Sequence, residues 1–173
     1  MHGVSPRGVA SFYGMGSSLV IDVGSLLSAG RPISLDEVVE IPPFGSLTFP
    51  APAKISLDLR RVDRGVQIGG AIDVNAAGAC DRCLDDIVVP IHVDVDEQFD
   101  PPSGTSDPFG DNNVLSGTNL DLGDLTRQLV TAAIPFAIVC SEECRGLCAT
   151  CGKSKNVGGG CDCPETEGDN GES

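Results

Sequence analysis

The chain has no tryptophan, one tyrosine and six phenylalanines among 173 residues. A core without large aromatics has to be filled by Val, Ile, Leu and Ala, and the 40% apolar content is enough for one domain of that kind. Basic residues are also scarce. Eleven Lys and Arg against 25 Asp and Glu leave a net charge of −14 and a pI near 4.2, which excludes a nucleic-acid binder that works through a broad basic face. Long apolar runs are absent: the best, Leu19 to Leu27, is interrupted by Asp22 and Gly24 and falls well short of the roughly 18 residues that a membrane helix needs. The N-terminus lacks the basic, apolar and small-residue order of a signal peptide, so a reducing, cytoplasmic setting without a membrane partner is expected.

Catalytic groups are equally few. There are two histidines, His2 in a Gly- and Ser-rich leader and His92 between aspartates on a strand face. No phosphate-cradling loop followed by Lys-Ser/Thr occurs, and no G-x-S-x-G elbow. The pattern therefore predicts no enzyme and no small-molecule substrate.

Twenty-two glycines and twelve prolines argue against a helical bundle, and alternating apolar residues argue for strands. Ile55, Leu57 and Leu59 alternate, as do Val66 and Ile68, then Ile72 and Val74 after a Gly69-Gly70 pair that marks a candidate bulge. Ile87, Val89, Ile91, Val93, Val95 and Phe99 share one face of a third run whose other face holds His92, Asp94, Asp96 and Gln98. The turns of this meander fall near Asp63-Arg64-Gly65 and at Cys80 to Cys83. Asp121 is placed to cap a helix with a stripe of Leu122, Leu125, Leu129 and Ala132 or Ala133, ended by Pro135. A short strand and turn at Leu19 to Leu27 and an irregular connection over Ser34 to Pro52 complete the reading. The expected fold is α+β: an antiparallel sheet or partly open barrel, one or two packed helices, and a C-terminal zinc-ribbon-like cysteine module. Residues 1–18 are expected to be a disordered leader, 19–139 the core with a flexible loop near 100–117, 140–163 the cysteine module, and 164–173 a disordered acidic tail.

The eight cysteines form four pairs with none left over: Cys80-x2-Cys83, Cys140-x3-Cys144, Cys148-x2-Cys151 and Cys161-x-Cys163. In a reducing compartment such spacings point to metal, because a tight knuckle aims two thiolates at one ion and tetrahedral zinc takes four. Pairing by locality joins Cys148 and Cys151 to Cys161 and Cys163 across a short Gly-rich loop, since closing so short a loop costs little. Cys80 and Cys83 then meet Cys140 and Cys144, giving one or two zinc ions in closed, structural sites. An iron-sulfur cluster or free, redox-active thiols are the rival readings of the C-terminal four. For Cys80 and Cys83 the rival is a thiol-based redox or metal-handling dithiol, which needs its first cysteine at a helix N-terminus. Here a strand pattern follows instead.

Charge is distributed unevenly, −1 over residues 1–79, −9 over 80–163 and −4 over the tail. Arg82, Arg145, Lys153 and Lys155 stand beside cysteines, where they offset thiolate charge or touch phosphate. Arg60, Arg61 and Arg64 at the first hairpin form the only basic group outside the knuckles and, with Arg82, are the candidate RNA contacts.

Taken in order, Cys80-Asp81-Arg82-Cys83-Leu84 before an alternating strand, the helix with Ile134-Pro135, and Gly146-Leu147-Cys148 with Cys151-Gly152 resemble the YceD family of large ribosomal RNA subunit accumulation proteins. The likeness runs from about Leu19 to Cys163. It implies a non-catalytic factor for accumulation of large-subunit ribosomal RNA in ribosome biogenesis. Its partner would be large-subunit pre-ribosomal RNA or a basic ribosomal protein. The family motif falls on Cys80, Arg82 and Cys83 and on Cys148, Cys151, Cys161 and Cys163.

Overall fold

A computed structural model describes residues 19–101, 113–156, 161 and 163. The expected leader, the central part of the expected loop and the acidic tail lie outside these residues. Strand β1 (Val20–Asp22) is followed by a short helix α1 (Gly24–Ala29), then β2 (Ile33–Val39), β3 (Ala53–Val62), β4 (Gly65–Ala79), β5 (Asp86–Asp100), β6 (Asn113–Val114), β7 (Asn119–Asp121) and helix α2 (Leu122–Ala133). Strands β2 to β6 form one sheet in chain order, antiparallel except for the parallel β5–β6 pair, while β1 and β7 pair separately. The fold is α+β with an open sheet rather than a closed barrel.

Alternation fixes which face is buried. Ile55, Leu57 and Leu59 of β3, Val66, Ile68, Ile72 and Val74 of β4, and Ile91 and Val95 of β5 point into one core with Leu26 of α1 and Leu122, Leu125 and Val130 of α2. On the solvent face, polar pairs span the strands: Ser56 donates to Asp36 at 2.6 Å, Ser34 to Asp58, and His92 meets its cross-strand partner Asp73 at 2.7 Å.

Four local expectations need correction. The β3–β4 and β4–β5 registers run without interruption, so Gly69-Gly70 is no bulge. Gly70 instead allows close strand approach, because a Cβ there would lie 2.1 Å from the Ser56 carbonyl oxygen at a φ of 144°. The connection expected over Ser34 to Pro52 begins as edge strand β2. Exposed Val38, and Glu37, which shares the strand face of Leu35 and Val39 but is itself exposed, spoil its apolar alternation. The turn expected before Leu27 is helix α1. Finally, the buried stripe of α2 turns toward Thr126 and Val130 and leaves Ala132 and Ala133 exposed. Thr126 tolerates burial because its hydroxyl donates to the Leu122 carbonyl at 2.6 Å. The Asp121 cap is present, accepting from the Asp124 N–H at 2.8 Å, and the helix ends at Ala133, two positions before Pro135.

Candidate metal centres

The long β4–β5 hairpin ends in a knuckle. Ala79 pairs with Asp86, and the six residues between them place Cys80 and Cys83 at the sheet's end. Beyond α2, the chain returns alongside this turn. Asp81 and Ile138 exchange hydrogen bonds, the Asp81 N–H donating to the Ile138 carbonyl at 2.8 Å and the Ile138 N–H to Asp81 Oδ2 at 2.6 Å. That docking delivers Cys140 and Cys144. The Sγ atoms of Cys80, Cys83, Cys140 and Cys144 all lie within 4.8 Å of one another, and those of Cys148, Cys151, Cys161 and Cys163 do likewise. We call these the hairpin and ribbon clusters.

Both donor sets fit a tetrahedral metal. At a metal–sulfur distance of about 2.3 Å a tetrahedron has edges of about 3.8 Å. In the hairpin cluster Cys80 and Cys144 are 3.8 Å apart and Cys83 and Cys140 are 3.7 Å apart. The first spacing is far beyond a disulfide bond of about 2.05 Å. Either group could hold a metal ion, with four sulfurs filling all four positions.

The two C-x2-C turns are built alike. The N–H of the first cysteine donates to the carbonyl five residues on, Cys80 to Asp85 and Cys148 to Lys153, both at 2.8 Å. The residue after the second cysteine donates back to the first cysteine's carbonyl, Leu84 to Cys80 at 2.9 Å and Gly152 to Cys148 at 2.8 Å. That residue is left-handed in both, with φ of 62° at Leu84 and 71° at Gly152.

This turn aims backbone N–H groups at the first sulfur. Burial opposes ionisation of Cys80, but the N–H groups of Cys83, Arg82 and Cys140 outweigh it and hold the thiol at about 6. Cys148 also sits at about 6, through its hydrogen bond with Cys161 and the N–H groups of Cys151 and Thr150. The thiol of Cys144 is lowered, chiefly by the Asn156 side chain. Each cluster also contains raised thiols. Cys140 is raised chiefly by Cys144, Cys161 by Cys148, and Cys163 to about 12 by Cys151. Close-set thiols therefore do not all ionise without a cation among them.

The clusters differ in burial. Cys80, Cys83 and Cys144 are buried with Ile87, Val139 and Leu147 packed around them, whereas in the ribbon cluster only Cys148 is buried and Cys151 is exposed.

The candidate RNA contacts are dispersed. Arg82 is exposed but engaged with backbone, donating from Nη1 to the carbonyls of Glu142 at 3.0 Å and Cys144 at 3.2 Å, so it ties the knuckle to the returning chain. Arg60, Arg61 and Arg64 are exposed at the β3–β4 hairpin, but consecutive strand residues face opposite ways, so Arg60 and Arg61 emerge on opposite faces. Arg61 also donates to the Asp63 carbonyl at 3.3 Å. Sequence reasoning missed Asn156, whose Nδ2 lies 3.2 Å from Cys144 Sγ. A lone Asn in a Gly-rich loop carries no signal of that contact.

Residues 68–171 match the family described as large ribosomal RNA subunit accumulation protein YceD, and the chain belongs to that family. Among curated proteins, the chain is similar to an uncharacterized protein of Mycobacterium tuberculosis, 30% identical over 105 residues, which is 58% of this chain and 51% of that protein. It is also similar to one of Mycobacterium leprae, 32% identical over 108 residues, 59% of this chain and 49% of that protein. The chain thus spans about half the length of the curated relatives it matches. No solved structure matches it. Among the described residues, no helix is long and apolar enough to cross a membrane.

Proposed function

We propose that this chain is a non-catalytic factor for large-subunit ribosomal RNA accumulation, held in shape by two structural zinc ions and acting in the cytoplasm by binding a basic ribosomal protein. The observation that carries the structural role is the donor set: four thiolates per cluster leave no coordination position for water or substrate. When bound, zinc would supply cross-linking of distant chain segments rather than Lewis-acid chemistry. Cys80, Cys83, Cys140 and Cys144 would hold one ion, and Cys148, Cys151, Cys161 and Cys163 the other.

Charge supports a basic protein as the direct partner. Asp36, Asp58, Asp73, Asp94 and Asp96 occupy exposed positions on the solvent face of the sheet, against Lys54 and Arg60. Such a face complements a cationic chain and repels phosphate. A direct pre-ribosomal RNA contact is the second reading, favoured by exposed Arg60, Arg61 and Arg64 at one hairpin tip.

Sedimentation of the tagged protein from lysate, probed for precursor and mature large-subunit RNA, tests the assembly role. Co-migration with free large subunits or their precursors is expected, and residence only at the top of the gradient overturns it. Replacing Arg60, Arg61 and Arg64 together by Glu is expected to leave co-migration intact, whereas a loss that tracks salt would transfer the contact to RNA. The thiol-redox alternative predicts fast alkylation of Cys80 and Cys83 in the untreated protein. The zinc reading predicts slow alkylation until a chelator is added.

A further inference from the structure

The two clusters are joined by more than the short peptide between Cys144 and Cys148. Asn156 is exposed, lies on the loop between Cys151 and Cys161, and is a ligand of neither cluster. Its Oδ1 accepts the Arg145 N–H at 2.7 Å. The opposite end of the same amide, Nδ2, then faces sulfur, 3.2 Å from Cys144 Sγ and 4.0 Å from Cys140 Sγ. The neighbouring Lys155 N–H donates to the Gly146 carbonyl at 2.8 Å. Leu147, bridged to Ser154, donates its own N–H to the Arg82 carbonyl at 3.1 Å and packs against the buried sulfurs of the hairpin cluster. Every one of these contacts comes from chain that the ribbon cysteines either hold or immediately follow.

An N–H directed at a metal-bound thiolate orients it and spreads its charge, as partners beyond the ligands do for other metal sites. Here the donor sits on a Gly-rich segment whose ordering costs conformational entropy. A metal in the ribbon cluster would tie both ends of that segment and meet much of this cost before the hairpin cluster is filled. Resting on the metal reading above, we infer that Asn156 is a positioning residue for the hairpin metal site, and that filling the ribbon site strengthens metal binding at the hairpin site through it. By linkage the effect is reciprocal in binding affinity.

The test uses the full chain loaded with zinc or with cadmium-113. Metal per chain is counted, affinities are read by competition with a chelator, and the two cadmium resonances report the sites separately. Asn156→Asp keeps the acceptor for Arg145 but replaces the donor by a negative charge, while Asn156→Ala removes both donor and acceptor without adding charge. Each is expected to retain two ions, weaken the hairpin site by about tenfold and move the hairpin resonance alone. Cys161→Ser combined with Cys163→Ser is expected to retain one ion, bound about tenfold more weakly than the hairpin ion of the unaltered chain. Two ions with unchanged hairpin affinity and an unmoved hairpin resonance in both Asn156 variants overturns the inference while leaving the metal reading standing. Full hairpin affinity in the double serine variant overturns the coupling. Fewer than two ions in the unaltered chain overturns the metal reading itself. Because Asn156 is exposed and outside the core, its variants report even if the double serine variant fails to fold.

Discussion

The hairpin and ribbon clusters share one knuckle and put it to different uses. In the hairpin cluster the knuckle ends the longest strand pair, and its partners arrive from beyond α2, with Cys83 and Cys140 separated by 57 positions. In the ribbon cluster the knuckle stands off the sheet, and its partners lie ten positions further along the chain. The local chemistry is the same, down to the i to i+4 and i to i+5 hydrogen bonds. What differs is the length of chain each cluster closes and the apolar surface it buries. A cross-link over a long loop removes more freedom from the unfolded chain, and three of the four hairpin sulfurs, those of Cys80, Cys83 and Cys144, are buried with Ile87, Val139 and Leu147 and would be poorly solvated without a metal. With metal bound as proposed, the hairpin cluster would be a tertiary staple, and the ribbon cluster a local clip whose main effect on the fold passes through its neighbour.

The sharpest way to break this contrast is to remove one ligand from each. Cys83→Ser leaves three sulfurs, two of them buried, where the returning chain docks and is expected to destabilise the protein by more than about 4 kcal/mol, the range reserved for loss of a metal. Cys161→Ser opens a half-exposed site and is expected to cost roughly 1–2 kcal/mol in global stability, with local loosening of the C-terminal segment. Urea unfolding of the zinc-loaded chains, followed by circular dichroism, measures both. Equal losses would show that the two clusters staple the fold to the same degree.

The division between the clusters was largely legible in the sequence, for a physical reason. Cysteine spacing reports how a turn aims sulfur, and strict alternation over Ile87 to Phe99 reports a half-buried strand, so the meander and its knuckled turn could be read from residue identity alone. Features set by tertiary position were not legible. Edge strand β2 is held by pairing with β3 on one side, and its Glu37 hides the period. The stripe of α2 turns because buried Thr126 satisfies its own hydroxyl. Arg82 read as a cation for thiolates or phosphate, but its guanidinium meets two carbonyls about 60 residues away, which no local pattern encodes. Asn156 was missed for the same reason: its contact depends on how the two clusters meet.

A finer comparison uses the position at which the knuckles meet the same backbone demand with different residues. Leu84 and Gly152 occupy equivalent left-handed positions, yet only Gly152 suits that conformation. Leu84 is 63% exposed, so its side chain gives little packing in return. Leu84→Gly is therefore expected to stabilise the chain by about 0.5–1 kcal/mol, and Gly152→Ala to destabilise its knuckle by about 1 kcal/mol although nothing lies within 4 Å of the added Cβ. Thermal melts check the first. Chelator competition at the ribbon site checks the second, because its strain is localised there. Opposite signs at equivalent positions would establish that the shared hydrogen-bond pattern imposes the left-handed residue. Two losses would mean that the Leu84 side chain contributes a contact of its own.

The smallest effect separates the clusters from the sheet that carries one of them. His92 pairs across β4–β5 with Asp73 at 2.7 Å and lies 3.4 Å from Asp94. Hydrogen bonding to Asp73, and then its charge, raises the imidazole above its ordinary value of 6.5. A group whose pKa is raised on folding contributes stability that is fully present below its unfolded value and fades as pH rises through the folded one. Metal–thiolate sites have the opposite dependence, since protons compete for sulfur and acid releases the ion. His92→Gln should therefore lower the melting temperature slightly below about pH 6.5 and change nothing in alkaline solution, while metal content at neutral pH stays at two ions per chain. Because the ring is exposed on the face opposite the core, its contribution is small and screened by salt. A His92→Gln chain that instead released metal at neutral pH would show that the hairpin cluster depends on charge pairing along the sheet as well as on its own four sulfurs.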